Sequence, residues 1–413
     1  MSRTAVNGDN CLINGSLIKE ILPRLVALRH DLHAHPELGF NEHRTAKVVA
    51  EFLRELGLEV HEGVGKTGVV GVLRKGSSGR SVGLRADMDA LPIIEQGTPD
   101  YVSTHQGVMH ACGHDGHTTM LLGAAWLLSK TGDFDGTVNF IFQPAEEGQA
   151  GAKAMIDDGL FTRFPCDSVF AVHNWPELPV GVAQTRPGSI MAAADRFDIR
   201  VYGGGGHAAQ PHLSPDTMLA TSELVVQLNT VVSRCIDPTD PALLTVTQVH
   251  GGFSHNMIPA EATITGTVRS FDLRTQDIIE ASLRRIAEHV PAAHGLDAEV
   301  KYHRYYPATI NSEAEAEVAL RAAKNAGLQA SVAPKPALTS EDFSFMLQEK
   351  PGAYLWLGQG DGSPKPLAPL HHPRYDFNDD IIPVGVRWFV EVVLSQLIPD
   401  SPGGCPINPS ISS

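Results

Sequence analysis

The chain has 413 residues, of which 42% are hydrophobic and 19% charged, and its formal net charge is −15. Because a single hydrophobic core stops growing at roughly 250–300 residues, this length favours two domains. The acidic charge and the lack of any Lys/Arg run longer than Arg284-Arg285 argue against a surface that follows nucleic-acid phosphates.

The N-terminal residues 1–16 are polar and show no apolar segment before a cleavage site, so no signal peptide is predicted. Apolar stretches such as residues 120–128 are far shorter than the ~20 residues of a spanning helix. The cysteines are scattered and odd in number, which suits a reducing compartment: Cys11, Cys112, Cys166, Cys235 and Cys405. We therefore expect a cytoplasmic protein without a membrane partner.

The first part of the chain alternates helical and strand-like patterns. Apolar residues at helical spacing begin at Leu17, and a second helix is expected to end at Gly57. Short apolar strands and one further helix follow, over residues 68–74, 81–86, 114–128, 137–142 and 167–173. This alternation predicts an α/β sheet covered by helices on both faces.

The segment from about Gly188 to Tyr302 follows a different pattern. Its first strand alternates apolar with charged residues, so that one face is buried and the other polar. Ser214 and Pro215 are predicted to form the N-cap and first turn of a helix that extends to about Val232. With the strands and helix that follow, the order is βαββαβ, a ferredoxin-like sandwich.

Helical and strand-like patterns resume over residues 314–326 and 353–358, and a Pro/Gly/Ser tail from Pro399 is expected to be loose. The predicted architecture is an α/β domain formed by residues 1–188 and 303–413, interrupted by a sandwich at 189–302. One face of the sandwich sheet packs on its helices. Because the other face stays free for pairing, a homodimer is expected.

The segment MHACGHDGH places a thiol and two imidazoles within six positions. Cys112 and His114 can converge on one ion, and Zn, Mn, Co or Ni accept such a mixture of donors. A buried thiol beside a capping histidine is an equally good interpretation of this pair alone. His117 lies on the same helical face as His114, where a supporting or a purely structural role is possible.

Two adjacent glutamates follow an apolar strand in FIFQPAEEG. Ligands of open α/β sheets bind at the carboxyl ends of the strands, where Glu146 and Glu147 are expected to lie. Since neighbouring side chains diverge, one carboxylate can bind a metal while the other faces a water molecule. Alternatively, both are solvated at a helix N-terminus, where the helix dipole favours Glu.

Three more strand ends carry polar residues. Asp87 and Asp89 end one strand, His173 ends another, and His371 and His372 lie near the C-terminus. Each pattern is weak alone. Convergence of Asp, Cys/His, Glu/Glu and His on separate strand ends nevertheless predicts a metal site, with the two aspartates orienting its ligands.

In the inserted segment, His207 follows four glycines, which allow the backbone to approach a ligand closely. Asn256 lies in another turn-rich loop, and Arg269 follows thirteen residues later. His, Asn and Arg together suit an amide oxyanion and a substrate carboxylate. For Arg269, a solvated charge on a strand is the alternative.

These motifs together resemble the M20 metallopeptidases, in particular the branch of hippurate hydrolases, N-acyl-amino-acid amidohydrolases and indole-acetyl-amino-acid hydrolases. The similarity covers nearly the whole chain, through RHDLHAHPELGFNEHRT, RADMDALP, GVMHACGHDGH, FQPAEEG, VHNWPELPVG, GGGGHAAQPH, HNMIP, GTVR, SEDF, PGAYLWLG and LHHPRYDFND. The resemblance implies a metallopeptidase-like catalytic domain and hydrolysis of N-acylated amino acids to a carboxylic acid and a free amino acid.

The resemblance also implies two divalent ions per subunit, Mn, Zn, Co or Ni. Cys112 would bridge them, and the remaining ligands would be His114, Glu147, His173 and His371. Glu146 would act as general base. Asp89 would steady a residue of the metal site.

For the inserted domain, the resemblance implies a lid that also mediates dimerisation. His207 of the partner subunit would polarise the scissile carbonyl, and Asn256 and Arg269 would hold the substrate carboxylate. Relatives tend to carry Met where Gln210 stands and a more acidic or Asp-Pro sequence near Ser214-Pro215.

Three points stay open at this stage. The doubled His371-His372 makes the last ligand ambiguous, and His371 is chosen because the family's ligand directly follows the Leu of this motif. An aminopeptidase or dipeptidase of the same family would instead require a free substrate amine. A non-catalytic relative that uses the cleft as a receptor is a third possibility, which the retention of both Glu146 and Glu147 disfavours.

Overall fold

The structure is a computed structural model that describes residues 3–131, 134–360 and 368–398, with side chains from residue 15 onward. The loose tail predicted from Pro399 lies outside these residues. The helices, in chain order, are α1 Arg3–Ala34, α2 His43–Glu55, α3 His114–Thr131, α4 Glu146–Gln149, α5 Gly151–Asp157, α6 Leu160–Arg163, α7 Thr217–Leu228, α8 Thr230–Cys235, α9 Leu273–Ala293, α10 Glu313–Asn325, α11 Phe343–Glu349 and α12 Ile382–Leu397.

The strands alternate with these helices along the chain. In chain order they are β1 Glu59–Val64, β2 Gly68–Lys75, β3 Ser81–Asp87, β4 Gly136–Gln143, β5 Ser168–Pro179, β6 Val182–Thr185, β7 Gly188–Met191, β8 Ala193–Tyr202, β9 Gly206–His207, β10 Leu243–Gly251, β11 Met257–Ile258, β12 Glu261–Ser270, β13 Asp297–Tyr306, β14 Thr309–Asn311, β15 Gln329–Val332 and β16 Gly352–Gly360.

The larger sheet has eight strands in the order β1-β2-β4-β3-β5-β16-β6-β15 and is mixed. Strands β4, β3, β5 and β16 run parallel, so their carboxyl ends meet at one edge. One face packs against α1, α2, α3, α10 and α12, and the other packs against α5, α6 and α11. This confirms the predicted α/β sheet with helices on both faces.

The smaller sheet is antiparallel, in the order β10-β12-β8-β13. Apolar side chains of β8 and β12 pack against α7 and α9 around a separate core. Along β12 the burial alternates residue by residue, with Thr263, Thr265, Thr267 and Arg269 on the less buried face. The inserted ferredoxin-like sandwich is therefore confirmed as the second part of the fold.

Three local predictions were wrong. The helix expected to begin at Ser214-Pro215 has Asp216 as its N-cap, because the Asp216 carboxylate accepts a hydrogen bond from the Leu219 amide at 3.0 Å. The Ser214 hydroxyl donates instead to the Gly205 carbonyl at 2.8 Å. The same helix was expected to reach Val232, but it is interrupted at Asn229. The first helix begins at Arg3, well before the predicted Leu17.

No helix within the described ranges is long and apolar enough to span a membrane.

Candidate metal centre and active-site cleft

A cleft of about 440 Å³ lies where the strand ends of the larger sheet face the smaller sheet. Its volume is typical of a site for a small molecule. The larger sheet and its loops supply most of the polar lining, while β8, β12 and β13 supply the opposite wall. The lining includes Cys112, Glu146, Glu147, His173, Trp175, Met191, Arg269, Tyr305, Tyr306, Glu341, Leu370 and His371.

The turn before α3 brings Cys112 and His114 to the base of this cleft. Gly113 between them has φ +91°, a conformation that disfavours residues with a side chain. A Cβ there would lie 2.3 Å from Asn174 Oδ1 and 2.7 Å from Tyr375 Oη. The turn therefore requires glycine, and it fixes the thiol and the imidazole on one side of the helix start.

Two histidines direct their Nε2 atoms toward this region. His114 donates from Nδ1 to Asp89 Oδ1 at 3.2 Å, and its buried Nε2 has no hydrogen-bond partner among the described residues. His173 donates from Nδ1 to the Asn174 carbonyl at 2.7 Å, and its Nε2 lies 3.4 Å from Cys112 Sγ. A hydrogen bond at Nδ1 fixes the tautomer that leaves Nε2 free to bind a metal.

The turn after β4 aims the two glutamates in different directions. Ala145 before them has φ +52° and Gly148 after them has φ +77°. Glu146 is buried and its Oε1 accepts a 3.4 Å hydrogen bond from the Asp342 amide, whereas the Glu147 amide donates to Asp89 Oδ2 at 2.9 Å. The burial of Glu146 rules out a pair of solvated carboxylates at a helix start.

The two C-terminal histidines differ in position. His371 has φ +66°, and its amide donates to the Ala111 carbonyl at 2.7 Å. Its Nε2 lies 3.1 Å from Glu147 Oε1, without the geometry of a hydrogen bond. His372 instead accepts from the Arg374 amide through Nδ1 at 3.1 Å. Of the two, His371 is the one that faces the acidic turn.

The ligand atoms of Cys112, His114 and Glu147 lie within 4.8 Å of one another. Burial, followed by the charges of Glu147, Glu146 and Asp87, raises the pKa of the Cys112 thiol well above its ordinary range. A thiolate here thus needs a compensating cation. Mixed thiolate, imidazole and carboxylate donors suit borderline-soft divalent ions, so these residues fit a metal centre.

The acids around the cluster also shift neighbouring groups. Burial opposes the charged form of His114, but Asp87 and Asp89 outweigh it and raise the pKa of His114 to about 10. Burial, together with Glu341 and Glu147, raises the pKa of Glu146 well above its ordinary value. Negative charge is in excess in this part of the cleft, which is the electrostatic setting that divalent cations stabilise.

His117 and Asp87 have complete sets of partners. His117 Nδ1 lies 2.6 Å from Asp87 Oδ1, and its Nε2 lies 2.7 Å from Asn174 Oδ1 and 3.1 Å from the Asn174 amide nitrogen. The other Asp87 oxygen accepts from Arg85 at 2.7 Å. Among the alternatives for His117, a role in supporting the ligand-bearing strand ends fits this geometry best.

The residues predicted in the inserted segment separate into two places. Arg269 lines the cleft and donates from Nε to the Leu338 carbonyl at 3.2 Å. His207 pairs with Met257 in the short β9-β11 ladder, beside Asn256. Neither His207 nor Asn256 is among the described residues that line the cleft of their own chain.

Sequence reasoning assigned no role to a buried charge cluster beside Glu146. Arg85 donates to Glu341 at 2.9 Å and to Asp342 at 3.2 Å, and Tyr354 donates to Glu341 at 2.6 Å. Glu341 and Asp342 belong to SEDF, one of the motifs that carry the family resemblance. An Arg two residues before Asp87 on a buried strand was the available signal for this cluster.

Comparisons with known proteins agree with this geometry. The model of Peptidase family M20/M25/M40 matches residues 83–395. The hippurate hydrolase of Campylobacter jejuni is 40% identical over 387 residues, covering 92% of this chain and 100% of that protein. The N-acetyl-L-cysteine deacetylase of Bacillus subtilis is 39% identical over 361 residues, covering 87% of this chain and 85% of that protein.

Solved structures of related proteins also superpose on this chain. A putative aminohydrolase from methicillin-resistant Staphylococcus aureus superposes with TM-score 0.87 at 33% identity, covering 92% of this chain and 98% of that chain. A Bacillus subtilis protein described as a dinuclear metal-binding peptidase from the M20 family superposes with TM-score 0.81 at 34% identity, covering 92% and 99%. The chain therefore belongs to the M20 family of peptidases and amidohydrolases.

Proposed function

We propose that this protein is a two-metal amidohydrolase that cleaves the amide bond of small N-acylated amino acids. The observation that carries the proposal is the arrangement of one cleft. Metal-donor atoms of Cys112, His114 and Glu147 converge beside the buried Glu146 carboxylate, and a guanidinium, that of Arg269, lines the same cleft. Metal, base and anion-binding group are the parts that such a reaction requires.

Five side chains would hold the ions: Cys112 as the bridging ligand, with His114, Glu147, His173 and His371. The Cys112–His173 contact at 3.4 Å and the Glu147–His371 contact at 3.1 Å support this proposed set. We propose Mn, Zn, Co or Ni, because this donor set does not discriminate strongly among them. When bound, such ions polarise a carbonyl group and lower the pKa of a water molecule.

Glu146 would take a proton from the attacking water and return it to the leaving amine. Its buried position and the acids around it raise its pKa, which brings the carboxylate closer to the value that general acid–base catalysis favours. The Asp342 amide at 3.4 Å holds one of its oxygens. Asp89 contacts both His114 and the Glu147 amide, so it would keep two ligands in place.

Arg269 would bind the substrate carboxylate from the inserted domain, and Asn256, which does not line the cleft of its own chain, would reach that carboxylate from the partner subunit. We propose that His207 acts on the scissile carbonyl of a substrate bound in the cleft of the partner subunit, since His207 does not line the cleft of its own chain. This requires a homodimer in which residues 189–302 serve as lid and dimerisation domain. Exposed apolar side chains of that domain, such as Leu219, Val226 and Phe253, suit a contact between subunits.

The names of several relatives support the substrate class. Hippurate hydrolase, N-acetyl-L-cysteine deacetylase and N-acetyldiaminopimelate deacetylase all name substrates in which an amino acid carries an acyl group.

Cys112, Cys166 and Cys235 are free thiols, in keeping with a cytoplasmic location.

The experiment is a hydrolysis assay of hippurate and N-acetyl amino acids against unblocked dipeptides, before and after chelation. We expect cleavage of the acylated substrates, loss with the chelator, and recovery on adding Mn, Zn, Co or Ni. Preference for the unblocked dipeptides would instead identify an aminopeptidase or dipeptidase. Absence of turnover in metal-loaded protein that still binds these compounds would favour the receptor interpretation.

A further inference from the structure

We infer that Glu42 is a positioning residue for Glu146 and that it acts through the backbone of Ala145. The inference rests on the proposed role of Glu146 as base. Glu42 lies in the HPELGFNE segment, more than a hundred residues from Glu146 in the chain.

Glu42 is a fully buried carboxylate with two specific donors. Its Oε1 accepts from the Ala145 amide at 2.8 Å, and its Oε2 accepts from the Thr67 hydroxyl at 2.6 Å. Burying a carboxylate is unfavourable unless its oxygens are hydrogen-bonded. One of these hydrogen bonds comes from the backbone amide of Ala145, the residue directly before the proposed base.

The backbone of Ala145 is strained. Ala145 has φ +52° and ψ +45°, a left-handed conformation that is unfavourable for an L-residue other than glycine. The loop that carries Glu42 packs directly on it, since a Cβ at Gly39 would lie 3.1 Å from both Ala145 Cα and Cβ. A strained turn persists only where its surroundings hold it, and the Glu42 carboxylate is a direct contact that does so.

Glu42 is one of three carboxylates from separate chain segments that hold this turn. Asp89 accepts from the Glu147 amide at 2.9 Å, and Asp342 accepts from the Ala152 amide at 2.9 Å. Asp89 also contacts His114, and Asp342 belongs to the charge cluster of Arg85. Glu42 differs because the described residues that hydrogen-bond to its carboxylate from other elements are Ala145 and Thr67, so its substitution leaves the Asp89 and Asp342 contacts to the turn in place.

Removing the acceptor leaves the Ala145 amide buried without a partner and releases the turn that aims Glu146. Displacing a catalytic group by about 1 Å can cost ~10²-fold in rate. The loss should fall on kcat, because substrate contacts are elsewhere in the cleft. Metal content should stay unchanged, because Asp89 still holds the Glu147 amide.

The experiment compares Glu42→Leu, Glu42→Gln and Glu37→Leu in metal-loaded enzyme. Glu37 is the matched control: it lies in the same loop and its carboxylate accepts from the Arg44 and Thr45 amides, but it does not contact the turn. The readouts are kcat, KM, bound metal per chain, and hydrogen–deuterium exchange over residues 143–152.

For Glu42→Leu we expect a roughly 10- to 100-fold loss of kcat with KM within about twofold, unchanged metal content, and faster exchange of the turn. Glu42→Gln keeps a carbonyl acceptor for the Ala145 amide and should restore kcat to within about threefold. Glu37→Leu should lower the melting temperature while its kcat stays at the wild-type value.

Wild-type kcat and exchange in Glu42→Leu would overturn the inference, as would parallel losses of kcat in Glu42→Leu and Glu37→Leu. Loss of bound metal in Glu42→Leu would also overturn it, because the residue would then serve the metal centre. Glu146→Gln in the same series separates the two proposals: if that variant keeps wild-type turnover, the assignment of the base itself is wrong.

Discussion

Two buried polar clusters meet at the start of α3, and they differ in charge balance. On one side is the donor cluster, made of the five proposed metal ligands Cys112, His114, Glu147, His173 and His371. On the other side is the Asp115 network, made of Asp115, Arg29, His33, Glu95 and Asp379. Neighbouring side chains of one short segment, His114 and Asp115, are both buried but reach two environments of different chemistry.

The Asp115 network pairs its charges within the chain. His33 contacts Asp115 at 2.8 Å and Glu95 at 3.3 Å, and Arg29 donates to Asp379 at 2.7 Å and lies 3.9 Å from Asp115. The donor cluster instead leaves His114 Nε2 without a hydrogen-bond partner among the described residues and gathers acids around a thiol. An unpartnered buried atom does not by itself mark a functional site, since Arg29 Nη2 in the Asp115 network also has no hydrogen-bond partner among the described residues. What distinguishes the donor cluster is the group of acids that surrounds the Cys112 thiol.

The largest effect should come from Glu146. We expect Glu146→Gln to lower kcat by ~10²–10⁴-fold, because it removes a general base while keeping the shape of the side chain. Bound metal per chain should stay at the wild-type value. Steady-state kinetics and elemental analysis check this, with Glu313→Gln at the exposed start of α10 as control. Wild-type turnover in Glu146→Gln would show that Glu146 is not the general base.

Asp115→Asn should break the closed network without affecting the donor cluster. Arg29 and His33 would lose their buried counter-charge, and breaking a buried ion pair costs about 3–5 kcal/mol. Denaturant unfolding of the metal-free protein measures this loss. If the variant is as stable as wild type but binds metal weakly, the proposed division of roles between the clusters is reversed.

Asp89→Asn is the counterpart on the other side. An amide in place of this carboxylate weakens the contacts to His114 and the Glu147 amide, and loss of such supporting contacts typically lowers metal affinity about 10- to 100-fold. Competition with a chelator of known affinity gives the ratio. Equal metal affinities for Asp89→Asn and Asp115→Asn would show that the two clusters do not differ in their role in metal binding.

The smallest effect is a pH dependence that arises from His33. Burial opposes its charged form, but Asp115 and Glu95 outweigh it and raise the pKa of His33 to about 9. Because the folded-state pKa exceeds the unfolded value of about 6.5, the stabilisation is complete below pH 6.5 and disappears as pH rises through 9. We expect a difference on the order of 1–3 kcal/mol between these limits.

The measurement is the free energy of unfolding of the metal-free protein at several pH values, compared with that of His33→Gln. The difference between the two proteins should shrink between pH 6.5 and 9. A difference that grows with pH would show that His33 is neutral in the folded protein.

Much of this site could be predicted from the sequence because its residues follow apolar strands. Asp87 and Glu146 follow strands whose carboxyl ends meet at one edge, so their convergence is a consequence of the parallel topology. The N-cap at Asp216 was missed because Ser214-Pro215 has the same local signature, and only the positions of the amides distinguish the two.

The long-range contacts could not be predicted from the sequence. Nothing in the spacing of Glu42 indicates that its carboxylate meets the Ala145 amide, and Arg85 gives no sign of Glu341 and Asp342 some 256 residues later. These contacts depend on how loops from separate elements pack. The positions of His207 and Asn256 relative to a cleft depend further on how two subunits associate.

The central claim is that the donor cluster holds two divalent ions. The most direct test is the number of Zn or Mn ions bound per chain at saturation, measured by equilibrium dialysis and elemental analysis, for wild type and for Cys112→Ser. We predict two ions per chain in the wild type and fewer in Cys112→Ser, since a proposed thiolate ligand is lost. A wild-type protein that binds no ion, or a Cys112→Ser variant that binds two ions with unchanged affinity, would contradict the account.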